Sequence, residues 1–413
     1  MMKVEGVKSK GADPLHPKVC LNGASQARDL TRIGSKEVTM SGTLLVATRK
    51  GLFTIERNGS AKVPWKIASH DFAGDNVSMV FADPRDGRRY AALELGHFGV
   101  KMHRSQGAGG TWEECAAPAY PPKPEGITDT DGWGKPIPWT TLKIWSLETG
   151  GANEPGVLWC GTIPGGLFRS RDNGTSWQLI RTLWDNPKRQ EWFGGGADLP
   201  GIHSVAVDPR DSKIVRLGVS CGGVWVTTDS GENWACRADG MYAVFMPPER
   251  KFDPNIQDAH RLAQCAAHPD QLWVQHHNGI FLSKDGSMSW EDAKDVPVSS
   301  FGFAVAVHPR EPGTAWFVPA ISDERRVPVG GKLVVTRTRD GAKSFDTLTR
   351  GLPQKHCYDI VLRHGLDIDP SGDRLALGTS TGGLWISEDQ GDAWLEVSSR
   401  LPPIYAVRFV AEG

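Results

Sequence analysis

The stretch Ser170-Arg171-Asp172-Asn173-Gly174-Thr175-Ser176-Trp177 decides how the rest of the chain is read. It has the form Ser-x-Asp-x-Gly-x-x-Trp, and Ser387–Trp394 repeats it in full. Thr227–Trp234 exchanges only Ser for Thr. Ser283–Trp290 moves the glycine one place, Thr338–Phe345 ends in Phe, and Ser105–Trp112 lacks the Asp. The pattern describes a hairpin. A strand ends at Ser or Thr, and Asp accepts backbone N–H groups in its own turn. Gly supplies a positive φ without steric cost, and the aromatic opens the next strand and buries apolar surface. These Asp residues are read as turn formers, not as catalytic carboxylates.

Outward from this turn, each repeat follows the same grammar. A first strand runs into an Asp/His-Pro turn, at Asp83-Pro84, Asp208-Pro209, His268-Pro269, His308-Pro309 and Asp369-Pro370. Proline suits that turn because its φ is preset and it has no N–H to donate. A second strand follows, then a small-residue turn such as Pro164-Gly165-Gly166 or Cys221-Gly222-Gly223. A third strand carries an aromatic, the Asp turn comes next, and a fourth strand leaves the Trp. Four strands per roughly fifty residues make one propeller blade. Trp112, Trp177, Trp234, Trp290, Phe345 and Trp394 mark six blades. The last strand, from Ile404, and the first, from Thr43, complete a seventh and hide both sheet edges.

The expectation is therefore an all-β fold: a seven-bladed β-propeller of four-stranded antiparallel blades over residues 41–413, closed by its N- and C-terminal strands. Residues 1–40 are polar, mix Gly, Lys, Ser and Pro, and show no sustained period. They are expected to be a disordered tail or an extension upstream of a natural start at Met40.

Composition sets the broad limits. The 413 residues carry a net charge of −1, which gives no electrostatic case for a nucleic acid or an anionic membrane. The 48 glycines and 16 tryptophans suit many tight turns and a repeated anchor. Seven scattered cysteines, without a Cys-x-x-Cys pair, form neither a zinc motif nor a disulfide framework. A reducing, cytoplasmic setting is expected.

The repeat resembles the Asp-box, or BNR repeat, of sialidases, of xyloglucan-cleaving glycoside hydrolases and of the sortilin receptor domain, and it extends over nearly all of residues 43–410. The opening Leu44–Phe53 is similar to bacterial sialidase-like, glycosyl hydrolase-like propellers. The resemblance implies the propeller fold, and it spans enzymes, receptors and assembly factors. Sialidases of this fold carry an Arg-Ile-Pro element, which this sequence lacks. A classical sialidase is therefore not expected.

In a propeller the ligand is expected over the central channel, at the starts of the innermost strands and the loops joining second to third strands. Those segments bring His97, His203, His260, His276 and His277 to one face, with Asp258 nearby. Histidine serves there as acid, base or ligand group. Counting back from the Asp/His-Pro turns puts Ser78, His203, Phe303 and His364 in one register. Glycoside hydrolysis needs two carboxyl groups at a defined separation, and Asp258 and Glu148 are the candidates. The catalytic expectation is therefore His203, Asp258, His260 and Glu148. His97, His276, His277, Arg49 and Trp139 are the expected ligand-binding residues. No metal and no cofactor are expected, because the histidines come from several blades without a short-range motif. The Trp-containing segments 113–138 and 178–200 are long enough to shape a pocket. The leading functional expectation is a glycoside hydrolase-like propeller that binds a carbohydrate or small polar ligand at the channel mouth. The alternative is a non-catalytic scaffold that presents the same face to a protein partner.

Overall fold

The computed structural model describes residues 42–57 and 65–411. The expectations for residues 1–40 lie outside the described residues. The described chain forms seven four-stranded antiparallel sheets arranged as a β-propeller. Blade 1 unites both ends of the chain in the order Ile404–Phe409, Thr43–Thr48, Gly51–Glu56, Lys66–Asp71. Blades 2 to 7 then follow in sequence. Their innermost strands are Val77–Ala82, Lys143–Thr149, Ile202–Val207, Ala259–Gln264, Gly302–Val307 and Leu366–Ile368. In blade 1 the C-terminal strand is the inner one, and Val407 pairs with Val46. Both valines are fully buried, and each such side chain contributes about 1.5–3 kcal/mol. The ring thus closes by a hydrophobic contact as well as by a ladder.

The Asp turns show why their sequence is so regular. In blade 3, Ser170 Oγ accepts from Gly174 N at 2.8 Å and donates to Asp172 Oδ1 at 2.8 Å. Asp172 in turn accepts from Ser176 N at 2.8 Å and Ser176 Oγ at 2.6 Å. The two backbone N–H bonds recur around Thr227 and Asp229, Ser283 and Asp285, Thr338 and Asp340, and Ser387 and Asp389. Two consecutive residues of each turn have positive φ: Asn173 and Gly174, Ser230 and Gly231, Gly286 and Ser287, Gly341 and Ala342, Gln390 and Gly391. The glycine can therefore sit at either position, which accounts for its one-place shift in two repeats.

The turns also join blades. The arginine just before the turn hydroxyl reaches the next blade's turn: Arg104 to Asn173 O at 3.1 Å, Arg169 to Ser230 O at 2.9 Å and Arg337 to Gln390 O at 2.8 Å. At the opposite end of the repeat, His308 Nδ1 accepts from Arg310 N and Glu311 N, as Asp208 accepts from Arg210 N. His308 therefore substitutes for Asp in holding a proline turn. Among the described residues, no helix is long and apolar enough to cross a membrane.

Candidate functional site

The innermost strands surround a channel with two unlike ends. At the strand starts a cavity of about 130 Å³ is lined by Ser78, Lys143, Trp145, Phe303, Arg363, His364 and Tyr405, with Gly196 and Arg326 from loops. Three basic side chains line it and no carboxylate does; Lys143 and Arg326 are ion-paired outside it, to Glu94 and Asp323, which leaves Arg363 as the basic group turned to the cavity. A neighbouring 280 Å³ cavity shares Lys143, Trp145 and Gly196, and adds Glu94, Ile163 and Asp198.

Arg363 is the central group of this mouth. Its side chain is buried, with the guanidinium over the Trp145 ring at 4.9 Å and the Phe303 ring at 5.4 Å. Its Nε and Nη2 have no hydrogen-bond partner among the described residues. Burial lowers its pKa, against the opposing pull of Asp258. The Gly194-Gly195-Gly196 segment lies directly against these groups. A Cβ on Gly196 would collide with the Arg363 guanidinium, and one on Gly195 would collide with Cys221 Sγ and lie 3.3 Å from Asp258 Oδ2. Glycine is needed here for close approach.

Blade 5 supplies the second half of the mouth. Asp258 stands immediately before the strand Ala259–Gln264, and His260 is the second residue of that strand. His277 lies in the tight turn between Leu272–His276 and Gly279–Ser283, where its N–H donates to Asp258 O at 3.0 Å. Asp258 Oδ2 meets His260 Nε2 at 3.2 Å and His277 Nδ1 at 3.5 Å. Asp258 Oδ1 accepts from Cys221 N at 3.2 Å. His260 Nδ1 lies 2.6 Å from Gly302 O and donates to it, since a carbonyl only accepts. Burial opposes ionisation of Asp258, but His260, His277 and Arg363 outweigh it and hold the carboxyl well below its usual range. Burial works against a charge on His277, yet Asp258, Asp323 and Glu324 raise its pKa. The His260 ring stacks on Phe303 at 4.6 Å, which links blade 5 to the cationic cavity.

The other expected residues divide differently. His203 is fully buried. Its Nε2 meets Ala259 O at 2.6 Å and its Nδ1 meets Ser204 Oγ at 2.9 Å. Burial, with Arg363 and Arg261, pushes its pKa far down. With His364, whose Nε2 meets His203 O at 2.8 Å, it forms a buried polar waist inside the channel. Of the residues that share this register, Ser78, Phe303 and His364 line the cavity at the mouth, and His203 is packed away from it. His276 is likewise buried. Its Nδ1 accepts from Asn278 N at 3.0 Å, and burial brings its pKa down to about 3. His97 is exposed on the turn Gly96–Phe98, with its ring tilted against that of Phe98. Arg49 sits on the exposed hairpin turn of blade 1, where its N–H donates to Pro403 O at 2.9 Å. Trp139 is away from the channel. Its Nε1 donates to Asp129 Oδ2 at 2.8 Å, and it packs against Trp184.

Glu148 is a correction. It lies near the far end of Lys143–Thr149 and lines a 490 Å³ cavity at the opposite end of the channel, with Arg261, Gln264 and Asp367. Burial raises the pKa of Glu148 and of Asp367, and lowers that of Arg261 to about 9. These groups are locally partnered: Glu148 accepts from Thr149 N, Asp367 from Phe409 N, and Arg261 donates to His203 O. The mouth is the better candidate although its cavity is smaller, because its buried Arg363 has donors without partners. The sequence reading missed Arg363, Trp145 and Arg326. Arg363 adjoins His364, which the register alignment had already singled out.

No protein-family model matches the chain. An oligoxyloglucan-reducing end-specific xyloglucanase of Emericella nidulans is 38% identical over 263 residues, covering 60% of this chain and 26% of that protein. The xyloglucanase Xgh74A of Acetivibrio thermocellus is 35% identical over 152 residues, covering 32% of this chain and 16% of its own length. The chain thus spans about a quarter or less of these relatives. Among solved structures, a GH74 enzyme from Niastella koreensis matches with a TM-score of 0.55 at 14% identity, over 86% of this chain and 52% of that one. That likeness is one of fold.

Proposed function

We propose that this chain is a glycoside hydrolase-like propeller that takes a carbohydrate bearing an anionic group at the channel mouth. The observation that carries the reading is Arg363: a buried guanidinium with unpaired donors, in a cavity lined by Lys143 and Arg326 and by no carboxylate. Buried charged donors are costly unless a partner satisfies them, and a carboxylate matches a guanidinium in geometry as well as charge. A cavity of about 130 Å³ admits one such group. The adjoining 280 Å³ cavity, reached across Trp145, has room for the ring that carries it. Similarity to xyloglucanases along the repeats supports a saccharide as the ligand. In this reading Asp258, His260 and His277 are the groups that face the bound sugar and act on it.

The test is binding and turnover on paired substrates, with neutral glucosides and xyloglucan oligosaccharides set against the corresponding uronides. The expected result is preference for the uronides, lost in Arg363→Met. Equal behaviour on both classes, unaffected by Arg363→Met, would overturn the reading. The scaffold reading has one observation in its favour: Val244, Phe245 and Phe252 are exposed on one loop, and Phe245 packs on His277. Exposed apolar patches mark protein contacts. It predicts no saccharide binding of either class.

A further inference from the structure

We propose that Asp258, His260 and His277 form a binding site for one divalent transition-metal ion, with Zn²⁺ as the best match. The inference deepens the reading above by giving the triad a means of acting on a bound sugar, and rests on it only for that purpose.

The argument begins with a conflict of lone pairs. His260 Nδ1 must donate to Gly302 O, at 2.6 Å. In the neutral ring this leaves Nε2 without a proton. That nitrogen faces Asp258 Oδ2 at 3.2 Å, so either a second proton on His260 or a cation must stand between the two acceptors in this buried place. A metal ion accepts both lone pairs and removes the conflict. Such an Nδ1–H···O=C bond is also how a metal-bound histidine is usually oriented, because it fixes the tautomer and the plane of the ring. The carboxylate is prepared in the same way. Its Oδ1 is held by Cys221 N at 3.2 Å and lies 3.5 Å from Ser220 Oγ, while Oδ2 is turned toward both imidazoles.

The distances fit. Zinc binds nitrogen and carboxylate oxygen at about 2.0–2.2 Å, so neighbouring ligand atoms of a tetrahedral site stand about 3.3–3.5 Å apart. The two edges that meet at Asp258 Oδ2 are 3.2 and 3.5 Å. The three donor atoms all lie within 4.8 Å of one another. Drawing His277 toward His260 is the adjustment required, and His277 is the partly exposed member on a hairpin turn. The sequence offered no motif because the ligands are spaced by one β-strand period and one hairpin. Asp258 stands just before the strand and His260 is its second residue, at the irregularity between Ala259 and Arg261, and the turn returns His277 to them. All three belong to blade 5, not to several blades. Three protein ligands leave a coordination position open, as in catalytic zinc sites, and the ion would stand beside the cavity of Arg363, where an anionic sugar can reach both charges.

The test uses the full chain, stripped with a chelator and titrated with Zn²⁺ by calorimetry and with Co²⁺ by visible absorption. One equivalent per chain is expected, with a micromolar or tighter dissociation constant and a tetrahedral Co²⁺ spectrum. His277→Ala, at a partly exposed position, and Asp258→Asn should each weaken binding by about 100-fold or more. Thermal scans of the metal-free proteins report whether they fold. If Asp258→Asn does not, His277→Ala and His277→Gln carry the test. No binding to the wild-type chain, or binding that both folded His277 variants retain, would overturn the site. Metal binding without saccharide binding would leave this inference standing and remove the functional reading above. Saccharide binding by a chain that takes up no metal would do the reverse.

Discussion

Replacing Arg363 by Met separates a binding role from a structural one, because the two roles predict opposite effects on stability. The side chain is 5% exposed, and two of its nitrogens lack partners among the described residues. An unpaired buried donor costs about 1–3 kcal/mol, so the pair costs about 2–6 kcal/mol. The Trp145 and Phe303 faces return about 0.5–2 kcal/mol each. Methionine fills similar space with an apolar, adaptable chain and removes both effects. Taken at their midpoints, about 4 against about 2.5 kcal/mol, these terms leave the variant about 1.5 kcal/mol more stable than the wild type without ligand, raising Tm by a few degrees at about 2–4 °C per kcal/mol. Binding of an anionic sugar should fall by about 100-fold or more, since each charge-assisted hydrogen bond lost is worth about 1.5–3 kcal/mol. Thermal unfolding followed by circular dichroism, together with calorimetric titration, reads both effects. A Tm lowered by about 6 °C or more would refute the reasoning. That is the signature of breaking a buried ion pair, which costs about 3–5 kcal/mol, and it would make Arg363 a structural partner of Asp258.

The Asp turns give four further outcomes. Ser387→Ala leaves the buried Gly391 N–H without its acceptor and should cost about 1–3 kcal/mol in denaturant unfolding. Ala342→Gly, at φ 67°, should stabilise by about 1 kcal/mol, because an L residue pays about that much in the left-handed region. Gly231→Ala at φ 93° should destabilise on the same assay. Acid stability follows the turn carboxylates: hydrogen bonds from Asn233 hold the Asp229 pKa down to about 2, and Asp172, Asp285 and Asp340 are also lowered. The unfolded chain takes up these protons first. Their contribution is therefore fully present above about pH 4 and is lost as pH falls toward 2. A thermal scan series across that window should show a falling Tm, and Asp229→Asn should flatten part of it.

The propeller was legible because its turns repeat a chemical requirement. Ser170, Asp172 and Gly174 satisfy the same backbone groups that Ser387, Asp389 and Gly391 satisfy two hundred residues later, and any sequence keeping the fold must keep those groups paired. The role of the turn hydroxyl, which caps the turn from inside, was less visible than that of the Asp, and so was the preceding arginine that ties three of the blades to the next. The site was harder to read because position along an inner strand decides everything. Glu148 lies five residues past Lys143, about 17 Å along the strand, and so at the other end of the channel. His203 shares a register with Phe303, but Phe303 lines the mouth cavity while His203 is packed away from it. Asp258, His260 and His277 were each singled out. Their meeting at one carboxylate oxygen depends on a hairpin whose turn length fixes where His277 points. Arg363 carried no sequence signal beyond standing next to His364, since burial of a single arginine is a property of the assembled ring.

The most direct test is a calorimetric titration of a uronide into three proteins side by side: wild type, Arg363→Met and Glu148→Gln. A ligand site at the channel mouth predicts binding to wild type and Glu148→Gln alike, and its loss in Arg363→Met. Loss in Glu148→Gln with full binding in Arg363→Met would contradict the account and move the site to the opposite end of the channel.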